Sequence, residues 1–137
     1  LSGLYTSWTL EGREVYVFKS VSNTPLSNYA TFCEDRGLNW YEPLSQSDAQ
    51  SVITNCYNLD TYHTWIITYN TTTSSNTWGG YSVTTDGGAG GSGGSFSSSG
   101  FSAIRKWGSS YCEPDYYNVT NCWDSSHSYD WLICEAP

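Results

Sequence analysis

The sequence predicts one α+β domain, and three observations predict it. Strand-like runs open and close the chain, two amphipathic helix patterns lie between them, and a long Gly/Ser/Thr-rich stretch precedes the closing strands. At 137 residues a single domain over 1–137 is expected. A domain of this size buries roughly two-thirds of its unfolded surface, enough for a core.

Residues 5–10 read as a strand, with Tyr, Thr and Trp. Residues 14–19 alternate, with Val15 and Val17 on one face and Tyr16 and Phe18 on the other. A first helix starts at Thr24-Pro25, since Thr24 can cap and Pro25 suits the first helical position. Leu26, Tyr29, Phe32 and Cys33 then share one helical face, and Gly37 supplies the stop. A second helix starts at Ser45, with Asp48 three residues on as a short-armed capping box. Its buried stripe is Ala49, Val52, Ile53 and Cys56. Cys56 reads as a buried thiol packing as a small hydrophobe, with an unidentified disulfide partner as the alternative.

Residues 64–69 are β-branched and aromatic without a breaker, as a buried strand should be. Residues 70–100 are nearly all Thr, Ser, Gly and Asn, with Asp86 the sole charge. They are expected to form a long loop within the domain, anchored by Trp78, Tyr81, Phe96 and Phe101. Residues 101–107 and 129–135 read as the last strands.

The composition excludes several functions. Thirteen acids against five Lys and Arg give a net charge of -8. Nucleic acid and anionic membrane surfaces both require a basic patch, so neither is an expected partner. No apolar run approaches the ~20 residues needed to span a bilayer, so no membrane insertion is expected. No CxxC or HxxxH pair supports a zinc site. Five cysteines suit a secreted or cell-surface disulfide protein with one thiol left over. The first residue is Leu rather than Met, so any signal peptide is expected to be gone already. Asn70-Thr71-Thr72 and Asn118-Val119-Thr120 are glycosylation sequons, relevant in a eukaryotic secretory route.

Taken in order, these elements resemble the C-type lectin-like domain. Cys33 within the first helix, Gly37-Leu38 after it, the second helix over 45–55, Trp65-Ile66 and the closing Leu132-Ile133-Cys134-Glu135 carry the likeness, which spans residues 14–135. Ile67 stands where the family's Trp-Ile-Gly has glycine. The resemblance implies two helices packed on a small twisted antiparallel sheet, and a disulfide between Cys33 and Cys134. Cys112 and Cys122 are expected to form a second bridge, although the family's own second bridge closes a different segment. The odd cysteine is then Cys56.

In calcium-dependent members a Glu-Pro-Asn or Gln-Pro-Asp triplet, built on a cis proline, holds calcium and sugar together. Glu113-Pro114-Asp115 is similar to it, and Trp123-Asp124 resembles a second motif, Trp-Asn-Asp, with the Asn absent. The stretch between them is shorter than in the family. The resemblance thus implies a calcium held by Glu113, Asp115 and Asp124. The chemistry is sound, because Ca²⁺ takes about six to eight oxygens and sugar hydroxyls can complete the shell. The alternative for the triplet is a plain turn, since Pro and Asp favour turns.

Trp78, Trp107, Trp123 and Trp131 lie in or beside the long loop and the acidic segment. Exposed aromatic faces stack on sugar rings, and core packing is the alternative for each. Trp107 and Trp123 are the expected stackers. A carboxylate pair such as Asp124 and Asp130 would be the minimum for glycoside hydrolysis, but acids are abundant here and no motif frames the pair. No Gly-x-Ser-x-Gly frames a serine nucleophile, and His63 reads as a strand-edge residue. The expectation is an extracellular binding module, not an enzyme. Its ligand is a glycan or cell-surface glycoprotein, bound through calcium, in adhesion or recognition. The alternative is a calcium-independent protein-binding or surface-adhesion domain of the same fold.

Overall fold

The computed structural model describes residues 3–20, 26–56, 59, 65–69, 73–74, 77–83, 91–98, 101–106 and 131–137. Strands β1 (Leu4–Leu10) and β2 (Arg13–Lys19) form an antiparallel hairpin. Its two-residue turn is Glu11-Gly12, with φ of 50 and 80. Two positive φ values match the right-handed twist of the flanking strands, and Gly12 adopts its value without steric cost.

The expected first helix is replaced by two short 3-10 segments, Leu26–Tyr29 and Glu34–Arg36. Side chains take carbonyls that an α-helix would use. Trp40 Nε1 donates to the Ala30 carbonyl at 3.1 Å, and Arg36 Nη1 donates to the Phe32 carbonyl at 3.1 Å. In an α-helix the backbone N–H four residues on would occupy each. Gly37 does provide the stop. It sits at φ 74, its N–H donates to Glu34, and the Leu38 N–H reaches back to Cys33. The expected stripe is buried at Tyr29, Phe32 and Cys33.

Strand β3 (Asn39–Trp40) leads to α1 (Gln46–Cys56), the single α-helix among the described residues. Ser45 caps it, its Oγ accepting the Asp48 N–H at 3.1 Å. Asp48 does not return the bond as a capping box would. Its Oδ2 instead accepts the Leu44 N–H at 2.9 Å. Ala49, Val52 and Ile53 are buried as the stripe requires. The Cys56 side chain is outside the described set.

Strand β4 (Trp65–Tyr69) follows. The stretch expected as one long loop contains four strands: β5 (Thr73–Ser74), β6 (Thr77–Trp78), β7 (Tyr81–Ser82) and β8 (Gly91–Ser98). Low hydrophobicity hid them, because β8 owes its place to the ladder it forms with β9 (Phe101–Lys106) rather than to apolar alternation. Strand β10 (Trp131–Glu135) closes the fold.

The main sheet runs β1-β2-β10-β4-β9-β8, and β3 also pairs with β10. Its pairs are antiparallel except β10 with β4, which corrects the expected all-antiparallel sheet. A parallel pair needs a long connection, and residues 70–130 supply one. Strands β5, β6 and β7 form a separate small antiparallel sheet.

The first and last strands of the core, β2 and β10, lie side by side. Trp131, Leu132, Ile133 and Cys134 are all fully buried, because β10 is covered on both faces. Trp131 and Ile133 join Val15, Val17 and the α1 stripe on one side. Leu132 and Cys134 join Phe18, Phe32 and Ile67 on the other. Cys33 and Cys134 form a disulfide, so the second core is also covalently closed. The small sheet caps the first core with Trp78, joined by Val83 just after its last strand.

Candidate functional site

Trp107, Cys112, Glu113, Asp115, Cys122, Trp123 and Asp124 lie outside the described residues, as do Asp130, His63 and His127. The ends of the strands that carry the acidic segment are described. Strand β9 ends at Lys106 and β10 begins at Trp131. Trp65 pairs with Arg105 and Ile66 with Trp131. The end of β9, the start of β4 and the start of β10 therefore meet at one end of the sheet. Two strand spacings, about 10 Å, separate Ile104 from Trp131, and Lys106 lies two residues further along β9. Gly91 of β8 pairs with Lys106, and Lys19 of β2 pairs with Trp131, so five strands reach this end.

An aromatic corner stands there. A bulge between Leu4 and Thr6 interrupts the β1 register at Tyr5. Bulges re-aim side chains, and this ring lies 4.7 Å from Trp131, centroid to centroid. Lys19 Nζ sits 4.8 Å from the Tyr5 ring and 5.7 Å from the Trp131 ring. Trp131 itself is fully buried, and Tyr5 is 39% exposed. The surface at this corner is thus a tyrosine face beside an ammonium group. Such a face suits the apolar side of a sugar ring, and the ammonium suits its hydroxyls. The sequence places Tyr5 in a strand but carries no sign of the bulge that sets its ring against Trp131. Trp131 and Trp78, both candidates for stacking, are core residues instead. Each is enclosed by α1 and the strands around it.

The opposite end of the sheet is a charged staple. Arg13 Nη2 pairs with Asp48 Oδ2, and Arg13 Nη1 donates to Glu135 Oε1 at 2.8 Å. The Glu42 N–H donates to the same Glu135 oxygen at 2.7 Å. The Arg13 guanidinium also lies 5.2 Å from the centre of the Tyr41 ring. Burial alone would lower the Arg13 pKa, but Glu135 and Asp48 outweigh it and the net shift is upward. Burial, and then the Asp48 charge, raise the Tyr41 pKa well above its ordinary value. Glu11 is held below its ordinary pKa by hydrogen bonds from Ser47 and then Ser45. This cluster joins the first hairpin, the start of α1 and the last strand. Among the described residues no group of three or more His, Cys, Asp or Glu is arranged to hold a metal.

Beside the staple, an open groove of about 520 Å³ runs between the end of β1 and the outer flank of α1. Thr9 and Leu10 form one wall, and Gln46, Gln50, Thr54 and Asn55 line the other. None of its lining side chains is charged.

No protein-family model matches this chain, and neither a curated protein nor a solved structure does. Among the described residues no helix is long and apolar enough to cross a membrane.

Proposed function

We propose that this chain is an extracellular binding module of C-type lectin-like architecture that recognises carbohydrate. The observation that carries the reading is the Cys33–Cys134 disulfide, which ties the first helical segment to the closing strand as the resemblance implies. The adjacency of β2 and β10 supports the same architecture. A disulfide also suits an oxidising compartment, so the module is secreted or displayed on a cell surface.

In this reading Glu113, Asp115 and Asp124 supply carboxylates to a calcium ion, and vicinal hydroxyls of a glycan or cell-surface glycoprotein complete its shell. Trp107 or Trp123 stacks on the ring. Tyr5 and Lys19 add a second contact surface at the sheet end from which the acidic segment departs. The function is recognition or adhesion, and no reaction is assigned. A thermal-shift comparison in millimolar Ca²⁺ and in chelator tests the metal. A ligand held only by the native state must raise the midpoint, so equal midpoints would remove calcium from the account.

A second reading keeps the fold and drops the calcium, giving a protein-binding or surface-adhesion domain. The missing Asn before Asp124 and the short spacing after the triplet favour it. Glycoside hydrolysis through Asp124 and Asp130 would require turnover that disappears when either becomes Asn.

A further inference from the structure

The strand β1 ends the main sheet among the described residues, with β2 on its inner side. The hairpin fixes which backbone groups of β1 face outward. A two-residue turn makes Leu10 and Arg13 a hydrogen-bonded pair, so Trp8 and Thr6 bond to β2 as well. The N–H and C=O of Ser7 and Thr9 then point to the open side. The two faces of β1 are fixed too. Trp8 packs with the α1 stripe in the first core, so Ser7 and Thr9 turn their side chains to the opposite, exposed face. The groove beside α1 begins where this edge ends, at Thr9 and Leu10. We propose that the β1 edge and this groove together take an extended, basic segment of a partner protein, added antiparallel as a further strand.

Three observations select that occupant. The first is the backbone. From Thr6 to Leu10 the ladder with β2 is regular, and β1 carries no charge or proline to block a strand added outside it. The second is the wall of the groove. From Gln46 to Asn55 it runs about 13–14 Å along α1, room for about four residues of extended chain. The sole charged residue of α1 is Asp48, which is buried, so this wall is amide and hydroxyl. Segment residues that face the helix are therefore neutral. The third is charge. Two carboxylates flank the groove, each held by a hydroxyl of a lining residue. Ser47 Oγ donates to Glu11 Oε1 at 2.7 Å, and Thr9 Oγ1 donates to Glu14 Oε1 at 2.7 Å. Arg13, the cation nearest to them in sequence, is engaged by Asp48 and Glu135. Glu14 pairs with Thr9 and shares its face, away from α1. Segment residues opposite Ser7 and Thr9 fall on that same face, so a Lys or Arg there meets the Glu14 carboxylate across Thr9. The net charge of -8 draws such a segment in from a distance. The site makes no use of the acidic segment and stands whatever glycan the module binds.

The test is fluorescence anisotropy of the intact chain with a labelled, end-capped peptide of alternating Thr and Lys. Thr favours a strand and suits the positions that face the helix. The expected result is saturable binding that weakens as salt screens the carboxylates. The same peptide N-methylated at every lysine should bind about tenfold or more weakly, because its donors to Ser7 and Thr9 are gone. A peptide of alternating Thr and Glu should not bind. Glu14→Gln removes the charge on one face, and Thr54→Lys adds a repelling ammonium to the exposed groove wall on the other. Each should weaken the Thr/Lys peptide by about two- to fivefold while the thermal midpoint shows the chain folded. No binding at about 1 mM peptide would overturn the proposal. Binding that N-methylation leaves unchanged would overturn it too, since that is attraction to an acidic surface without strand pairing. Displacement of the peptide by cellohexaose would also overturn it and give the groove to a neutral sugar.

Discussion

Arg13 stands between Asp48 and Glu135, pairing with both, and so joins the first hairpin to the helix and to the last strand. Asp48 is 1% exposed and has one carboxylate oxygen without a partner among the described residues. Removing the cation therefore leaves a buried charge uncompensated. Arg13→Ala should destabilise the fold by about 3–5 kcal/mol in urea titration. Because the penalty comes from the stranded carboxylate, adding Asp48→Asn to that variant should recover part of the loss.

The turn between β6 and β7 is built on Gly79 and Gly80, at φ 63 and 85. A Cβ on Gly79 would lie 2.3 Å from Pro43 Cγ, whereas one on Gly80 would meet open space. The Pro43 ring is rigid and buried, so it cannot swing aside. Both positions favour glycine, and each substitution carries a left-handed backbone cost of about 1–2 kcal/mol. Gly79→Ala should exceed Gly80→Ala by a further margin of at least about 1 kcal/mol, read as the difference in thermal midpoints.

The Cys33–Cys134 bridge closes a loop with a sequence separation of 101. Loop-closure arguments put the stabilisation near 4–5 kcal/mol, roughly, for a loop of that length. The double variant Cys33→Ala with Cys134→Ala should lower the denaturant midpoint accordingly. If the midpoint stayed within error of the parent, the bridge would have no part in holding the second core closed.

Tyr41 is buried, its hydroxyl donates to the Asp48 carbonyl at 3.4 Å, and its pKa is raised. An acid whose folded pKa lies above its unfolded value keeps its proton in the native state while the unfolded chain loses one. Stability must then fall as pH rises above the ordinary tyrosine value of 10.0. Tyr41→Phe should flatten that alkaline decline while costing little at neutral pH. Glu11 has the opposite sign. Its pKa is lowered, so its contribution is present above the ordinary value of 4.5 and disappears as pH falls through the folded value. Urea midpoints across pH, with Glu11→Gln as the comparison, would read both limbs.

Much of the frame was legible in the sequence, and the reasons are local. Val15 and Val17 against Tyr16 and Phe18 marked the two faces of β2, because successive strand residues point to opposite sides and an unbroken apolar run records cover on both. Ala49, Val52 and Ile53 marked the buried face of α1, and Ser45 its cap. The first helical segment was harder. Its stripe is buried at Tyr29, Phe32 and Cys33, but two of its carbonyls go to side chains, of Arg36 four residues on and of Trp40 beyond the segment, which helical periodicity does not register. Strand β8 was hidden because a Gly/Ser ladder has no hydrophobic signature. At the candidate site, the sequence marked the acidic segment through its carboxylates. It missed Tyr5, whose ring is set against Trp131 at a bulge in the β1 register.

The central claim is carbohydrate recognition, and a glycan array probed with the intact chain, in calcium and in chelator, tests it most directly. The account predicts a defined set of sugars bound in calcium, weakened by chelator and by Glu113→Gln or Asp115→Asn. The absence of any sugar signal in both conditions, with the chain folded and its Cys33–Cys134 bridge intact, would contradict it and favour the protein-binding reading.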